Sequence, residues 1–384
     1  MTLIQSDALY IEQDDDLARC CAEWLRLPYV AIDTEFQRTE TFFPIAGLIQ
    51  VGDGERAYLI DPLAIRDWHP LVEVLLSPNV IKVLHSCSED LEVFHHLCGT
   101  VPQPLFDTQL AAAYLGMEFS MGYSRLVQAI LNVELPKGET RSDWLQRPLS
   151  PTQLKYAVDD ALHLAELYKV LAPRIEEAGF TAWLLEDTAE QCRCAGSVSD
   201  PETAYMQIKQ AWRLKPEELA ILKPLAAWRE REARARDQAR NRLLREATLC
   251  PLAQRQPDSL QALSRIEDMH PRSVRQDGET VLELIRKGAE TPRSEWPERL
   301  PEPLPADAQR LLKSLKKVGQ RHAQRLGIAP EIMLRKKVLE AMVRTGYPNG
   351  PYCLPDELIG WRRTLMGEEL LAVANGNQGA SNAD

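Results

Sequence analysis

Paired cysteines are missing from this chain. Its eight cysteines, at 20, 21, 87, 98, 192, 194, 250 and 353, include no CxxC pair. A disulfide framework or a zinc ribbon needs regular pairs, so the thiols read as reduced and the protein as cytoplasmic. Cys192 and Cys194 make at most half a metal site, and a solvent-facing coincidence explains them. No run approaches the roughly 20 apolar residues of a membrane span. The start, MTLIQSDALYIEQDDD, lacks the basic-then-apolar order of a secretory signal. Aromatic residues are sparse in the basic stretches, which offers little base stacking there. Strand signals stop near residue 205.

Positive charge is scarce in one half only. Residues 1–190 carry 13 Lys+Arg against 30 Asp+Glu, whereas 191–384 carry 32 against 26, within a net charge of −11. An acidic front half suits cations and a mildly basic back half suits phosphates. Solvated helix faces would give the same composition.

The first half alternates strands and helices. YVAIDTEF (29–36), AGLIQV (46–51) and AYLI (57–60) read as strands. The GDGE turn between the last two is a hairpin signal, so these three are expected as antiparallel neighbours. A helix near 69–77, the strand VIKVLH (80–85) and a helix from about Ser88 follow. Asp107 is placed to cap a helix over QLAAAYLG. Ser150-Pro151 opens a long helix to about Leu171, with Ser at its N-cap and Pro at its first position. The pattern predicts a mixed sheet flanked by helices. Helical patterns then take over, interrupted by TPRSEWPERLPEPLP (291–305), whose five prolines separate two units. Sliding the chain by 90 residues aligns Leu225 with Leu315, Arg231 with Arg321, Ala233 with Ala323 and Ala239 with Ala329. It also aligns Leu244 with Leu334, Arg245 with Arg335 and Leu249 with Leu339. Seven identities in 25 positions point to a duplicated helical domain.

Asp33 and Glu35 alternate along the first of these strands, so they share one face about 6.5–7 Å apart. Like charges beside an apolar run repel each other and resist desolvation. The helix opened by Pro151 sets Tyr156 and Asp160 four residues apart on one face. Asp90 falls in the first turn of the helix after VIKVLH. Strand ends and helix starts converge on clefts in α/β domains, so Asp33, Glu35, Asp90 and Asp160 are expected to form one carboxylate cluster. Divalent cations would relieve its repulsion, and an all-oxygen donor set favours Mg²⁺ or Mn²⁺ over zinc.

DTE at a strand end, LHSCSEDLEVF and YAVDD resemble the three motifs of the DEDD superfamily of 3′→5′ exonucleases. Tyr156, four residues before Asp160, is similar to the tyrosine-type branch; Lys155 stands where the other branch has its His. With PQPLFDTQLAAAYLG (102–116) and two helical repeats similar to HRDC domains, nearly the whole chain resembles the bacterial ribonuclease D family. The resemblance implies an α/β ribonuclease H-like exonuclease domain (a mixed sheet flanked by helices) over 1–190, followed by two small all-α HRDC-like domains. Those would occupy 209–290 and 306–376, with linkers at 191–208 and 291–305 and a disordered tail at 377–384.

It further implies that Asp33, Glu35, Asp90 and Asp160 ligate two divalent metal ions, Mg²⁺ or Mn²⁺, with Tyr156 orienting the attacking water. Nucleoside 5′-monophosphates would leave one at a time from the 3′ end of RNA, tRNA precursors being the family's substrate. A DNA exonuclease and an inactive RNA-binding scaffold are the competing readings. Thr34 and Phe36 are candidate contacts to the terminal nucleotide. His85 is a candidate for substrate phosphate or a structural histidine, Asp107 an N-cap or a support to the site, and Gln109 a weaker substrate contact. Asp159 is assigned to solvent or a basic partner. Basic clusters at 229–245 and 313–337 are candidates for RNA contact, and Trp228 and Trp361 for core. A monomer needing no protein partner or membrane is expected.

Overall fold

The computed structural model describes residues 2–5, 8–136, 139, 142–197 and 199–376. The tail expected to be disordered at 377–384 lies outside them. The chain divides into two compact units. One is Met1–Phe36, Ala46–Gly196 and Leu304–Asp384; the other is Gln37–Ile45 and Ser197–Pro303.

In the first unit the apolar runs become β1 (Thr2–Gln5), β2 (Ala8–Ile11), β3 (Tyr29–Gln37), β4 (Ile45–Gly52), β5 (Ala57–Ile60), β6 (Ile81–Leu84) and β7 (Leu105–Asp107). They form one sheet in the order β1-β2-β5-β4-β3-β6-β7. β4 pairs antiparallel with β5, as the GDGE turn predicts, while β2–β5, β3–β6 and β6–β7 are parallel. Parallel neighbours need crossovers, which the helices supply. These are α1 (Asp14–Trp24), α2 (His69–Leu76), α3 (Ser88–Cys98), α4 (Thr108–Tyr114), α5 (Tyr123–Leu131), α6 (Pro151–Glu177) and α7 (Thr181–Ala195).

Both faces of the sheet are buried, and alternation along β3 assigns them. Val30 and Ile32 pack with Leu17, Leu71, Leu91 and Phe94 of α1, α2 and α3. Ala31 points the other way, into the cluster holding Leu164 and Ala165 of α6. By the same alternation Asp33 and Glu35 leave β3 on the α6 face, and Thr34 leaves it on the α3 face.

α6 begins as its sequence dictates. Gln153 N–H donates to Ser150 Oγ (3.1 Å) and Ser150 N–H to Gln153 Oε1 (2.9 Å), a reciprocal capping box with Pro151 at the first position. The helix runs to Glu177, six residues past the expected end at Leu171, and passes through Pro173. Fully buried Ile175 anchors that last stretch in the core.

The two helical repeats have matching element ends. α8 (Pro216–Ala235), α9 (Arg240–Leu243), α10 (Glu246–Arg255), α11 (Leu260–Leu263) and α12 (Pro271–Ala289) belong to the second unit. α13 (Ala308–Leu326), α14 (Pro330–Met333), α15 (Lys336–Arg344) and α16 (Gly360–Ala374) belong to the first. The 90-residue offset carries α9 onto α14, their N-caps Ala239 and Ala329 onto each other, and the N-caps Arg245 and Arg335 of α10 and α15 likewise. The aligned leucines are buried in both copies, except Leu334, which is half-buried. Trp228 and Trp361 are core residues, as expected.

Candidate active site

Asp33 and Glu35 on β3 meet Asp160 on α6: one carboxylate oxygen from each lies within 4.8 Å of the others. Asp90, buried in the first turn of α3, is not in that group of three but feels the Asp33 charge, and it is fixed by Thr34, whose hydroxyl donates to Asp90 Oδ1 (2.5 Å). Strand alternation explains this division, since Thr34 faces α3 while its two neighbours face α6.

Burial raises every carboxyl here. Asp33 is pushed up to about 6, Asp160 to about 8 by burial and then the Asp33 charge, and Glu35 to about 9 by burial and then Asp33, Asp160 and Asp90. Asp90 is raised by burial and Asp33. Asp33 is therefore the charge that all the others feel. The donor set is all oxygen, anionic and short of positive charge, which fits hard divalent cations. Among the described residues this is the one such group of three or more potential ligands. The CxC pair does not both face solvent as expected: Cys194 is exposed beside Glu190, but Cys192 is buried against Pro102 O, because it lies on the side of α7 that packs on the core.

Tyr156 lies one turn before Asp160, and its hydroxyl reaches the Asp160 carboxyl. Burial, then the Asp160 and Glu35 charges, push the phenol far above its ordinary value of about 10, so it stays a donor. Asp159, next to Asp160, faces outward and pairs with Lys155 (2.6 Å). Asp107 caps α4, accepting from Gln109 N–H (2.8 Å) and Leu110 N–H (3.3 Å). It also accepts from Ser86 N–H and Cys87 N–H, both at 3.1 Å, and so clamps the turn that delivers Asp90. Ser86 in that turn has φ +56°, a left-handed backbone the clamp helps to hold.

The remaining candidates are engaged within the fold. His85 Nδ1 contacts Thr108 Oγ1 (2.9 Å), its ring sits edge-on to Tyr123 (5.3 Å between ring centres), and burial lowers its pKa so that it is neutral. Gln109 Nε2 donates to Met121 O (3.1 Å). Phe36 is half-buried at the end of β3.

Three parts of the site carry no motif. Tyr123 on α5 donates its hydroxyl to the backbone carbonyl of Asp160 (2.6 Å) and pins α6 at the turn that carries Asp160. Arg147 grips Asp61 with Nε (2.7 Å) and Nη2 (2.6 Å) and Gly47 O (2.7 Å), tying the segment before α6 to β4 and β5. Gly52 on β4 lets α6 come close: a Cβ there would sit 2.4 Å from the carbonyl oxygen of Ala161, the neighbour of Asp160. Gly52→Ala is therefore expected to cost about 1–3 kcal/mol by overpacking. It should also lower kcat by roughly 10²-fold through a displaced Asp160. Melting curves and single-turnover rates on the same preparation check this; a stability loss with full activity would mean that α6 moves without disturbing the cluster.

Comparison with known proteins agrees with this geometry. Residues 9–176 match the 3′-5′ exonuclease family and residues 218–285 the HRDC domain family. Ribonuclease D of Pseudomonas paraeruginosa is 59% identical over 362 residues, covering 94% of this chain and 96% of that one. Ribonuclease D of Escherichia coli is 36% identical over 362 residues, covering 94% and 96%. The crystal structure of E. coli RNase D, described as an exoribonuclease involved in structured RNA processing, superposes with a TM-score of 0.90 at 35% identity, covering 96% of this chain and 99% of that one. No helix among the described residues is long and apolar enough to cross a membrane. Carboxylates gathered from β3 and α6, the exonuclease fold around them and this similarity along the whole chain together place the protein in the ribonuclease D family of 3′→5′ exoribonucleases.

Proposed function

We propose that the chain trims the 3′ ends of structured RNAs, tRNA precursors among them, one nucleoside 5′-monophosphate at a time, by two-metal-ion hydrolysis. The observation that carries the mechanism is the convergence of Asp33, Glu35 and Asp160 within 4.8 Å, with Asp90 adjoining Asp33. These four acids would hold two divalent ions, Mg²⁺ or Mn²⁺. When bound, such ions supply the charge that acidifies the attacking water and stabilises the departing 3′ oxygen. Tyr156, kept protonated by its burial, orients the water by hydrogen bonding and does not take its proton. Thr34 holds Asp90, and Tyr123 holds the Asp160 turn. The structured-RNA substrate is supported by the description of the E. coli relative. In this reading the exonuclease domain spans 1–190 and the HRDC-like domains 209–290 and 306–376, joined by linkers at 191–208 and 291–305, in a cytoplasmic monomer.

The test uses 5′-labelled single-stranded RNA and matched DNA with Mg²⁺, Mn²⁺ or EDTA. A metal-dependent ladder shortening from the RNA 3′ end is expected, with mononucleotide product. Tyr156→Phe should slow it on the order of 10- to 10²-fold while retaining some cleavage, the loss expected of a positioning group. Equal cleavage of DNA would favour the DNA exonuclease, and full activity in Tyr156→Phe would remove the water-orienting role.

A further inference from the structure

Two basic clusters flank the helical repeats, and the structure separates them by what their charges already do. In the first repeat the arginines are spent internally. Arg231 pairs with Glu202 (2.6 Å), Arg234 with Glu230 (2.8 Å), Arg236 with Asp277 (2.7 Å) and Arg240 with Glu230 (2.5 Å). Arg242 pairs with Glu40 and Arg245 with Asp268 (3.5 Å), while Arg229 is buried against Leu244 O. A phosphate would have to compete with a carboxylate at each pair.

The second repeat differs. Lys313 and Lys316 of α13, Arg335 before α15 and Lys336 at its start are exposed around a groove of about 830 Å³. Lys313, Lys316 and Arg335 form no salt bridge among the described residues, and Lys336 has only an exposed i,i+4 contact with Glu340 (3.5 Å). Glu331 is the acid among the groove's lining residues. Lys313 and Lys316 are three residues apart and so project from one helix face. The groove's floor is apolar, made by Leu312, Leu334 and Leu339, and Phe119 closes one side.

Phe119 connects this groove to the chemistry. It belongs to the segment between α4 and α5 that Gln109 pins at Met121 O, and it lies four residues before Tyr123, which holds the Asp160 turn. Four residues of chain span at most about 14 Å. Phe119 on the groove therefore stands within about 14 Å, along the chain, of the residue that holds the Asp160 turn. Exposed cations around an apolar floor with an aromatic wall, Lys313 and Lys316 among them without a carboxylate partner among the described residues, match what single-stranded RNA presents, phosphates and a base face.

We propose that this groove of the second repeat, and not the arginine cluster of the first, binds the single-stranded RNA leading into the active site. Phosphates would lie on Lys313, Lys316, Arg335 and Lys336, with a base against Phe119. The proposal rests on the exoribonuclease reading for its choice of ligand.

Binding of 5′-labelled single-stranded RNAs of about 4 and about 16 nucleotides, measured by anisotropy in EDTA on the full chain, tests it. Lys313→Glu/Lys316→Glu and the milder Lys313→Gln/Lys316→Gln are compared with Arg231→Gln/Arg245→Gln. The Glu pair should weaken the long RNA at least about 10-fold more than the short one. It should also flatten the dependence of log K on log salt by about 1–1.5, the slope for two phosphate contacts on a single strand. The Gln pair should do the same to a lesser degree, and the first-repeat pair should leave long-RNA binding within about 2-fold. Equal losses on both lengths, no loss, or a larger loss in the first-repeat pair would each overturn the proposal. Hydrolysis of the same RNAs by the unmodified protein with Mn²⁺ is read in parallel. If that were absent the catalytic reading would fail, while the binding arms would still decide the groove.

Discussion

Asp33→Asn is expected to abolish RNA hydrolysis, by at least about 10³-fold, and yet to melt higher than the unmodified protein in EDTA at pH 8. The activity loss follows from removing a central carboxylate, since the charge stabilisation that bound cations lend to the transition state is worth several kcal/mol, or about three decades in rate. The stability gain follows from the same position, because the Asp33 charge raises Glu35, Asp90 and Asp160 alike. Unfolded carboxyls titrate near pH 4, whereas in the fold Asp33 titrates near 6, Asp160 near 8 and Glu35 near 9. Across that window the native state holds more protons than the unfolded one. Stability is therefore greatest at low pH within it and falls as pH rises from about 4 to 9. A shift of about two units corresponds to roughly 3 kcal/mol, so relief at Asp33 should be worth about 1–3 kcal/mol. Melting temperatures from pH 5 to 9 in EDTA check this: a fall is expected for the unmodified protein, a shallower one for Asp33→Asn. Mn²⁺ or Mg²⁺ should restore stability to the unmodified protein alone. An Asn variant melting lower than its parent at pH 8 in EDTA would falsify the account of mutual repulsion.

The four acids and Tyr156 were legible because their positions depend on local periodicity. Alternation on β3 fixes Asp33 and Glu35, helical spacing links Tyr156 to Asp160, and a strand-to-helix junction carries Asp90. The capping box at Ser150 and the cap at Asp107 were legible for the same reason. Tyr123 and Gly52 were not, because a hydroxyl bonded across 37 residues and a Cβ that must be absent leave no periodic trace. β7 is three residues long, too short to show a period. Composition also counted the arginines at 229–245 as available, although charges already paired attract a phosphate far less than free ones. Sequence registers charge; only the fold shows whether it is spent.

Asp187→Ala is expected to destabilise the first unit by about 3–5 kcal/mol, the usual cost of breaking a buried ion pair from one side. Asp187 on α7 accepts from Tyr114 OH (2.6 Å), from Trp361 Nε1 (3.3 Å) and from both Nη atoms of Arg362, one at 2.7 Å. Arg362 also donates through Nε to Ile332 O (2.7 Å), and Trp183 stacks on Trp361 with centres 4.2 Å apart. The contacts join α4 and α7, beside the sheet, to α14 and α16 of the second repeat, and one apolar core runs beneath them. Without Asp187 the guanidinium keeps its burial and loses its counter-charge. A melting point lower on the order of 10 °C is expected. Asp187→Ala/Arg362→Met should recover part of it, because the second change removes the stranded charge and leaves apolar bulk. If the double variant melted as low as the single one, lost packing would account for the effect, and the ion pair would not. The repeat carries the basic groove, so Asp187→Ala should also weaken binding of long single-stranded RNA more than that of a short oligomer. The double variant should restore both properties together, since docking of the repeat underlies each.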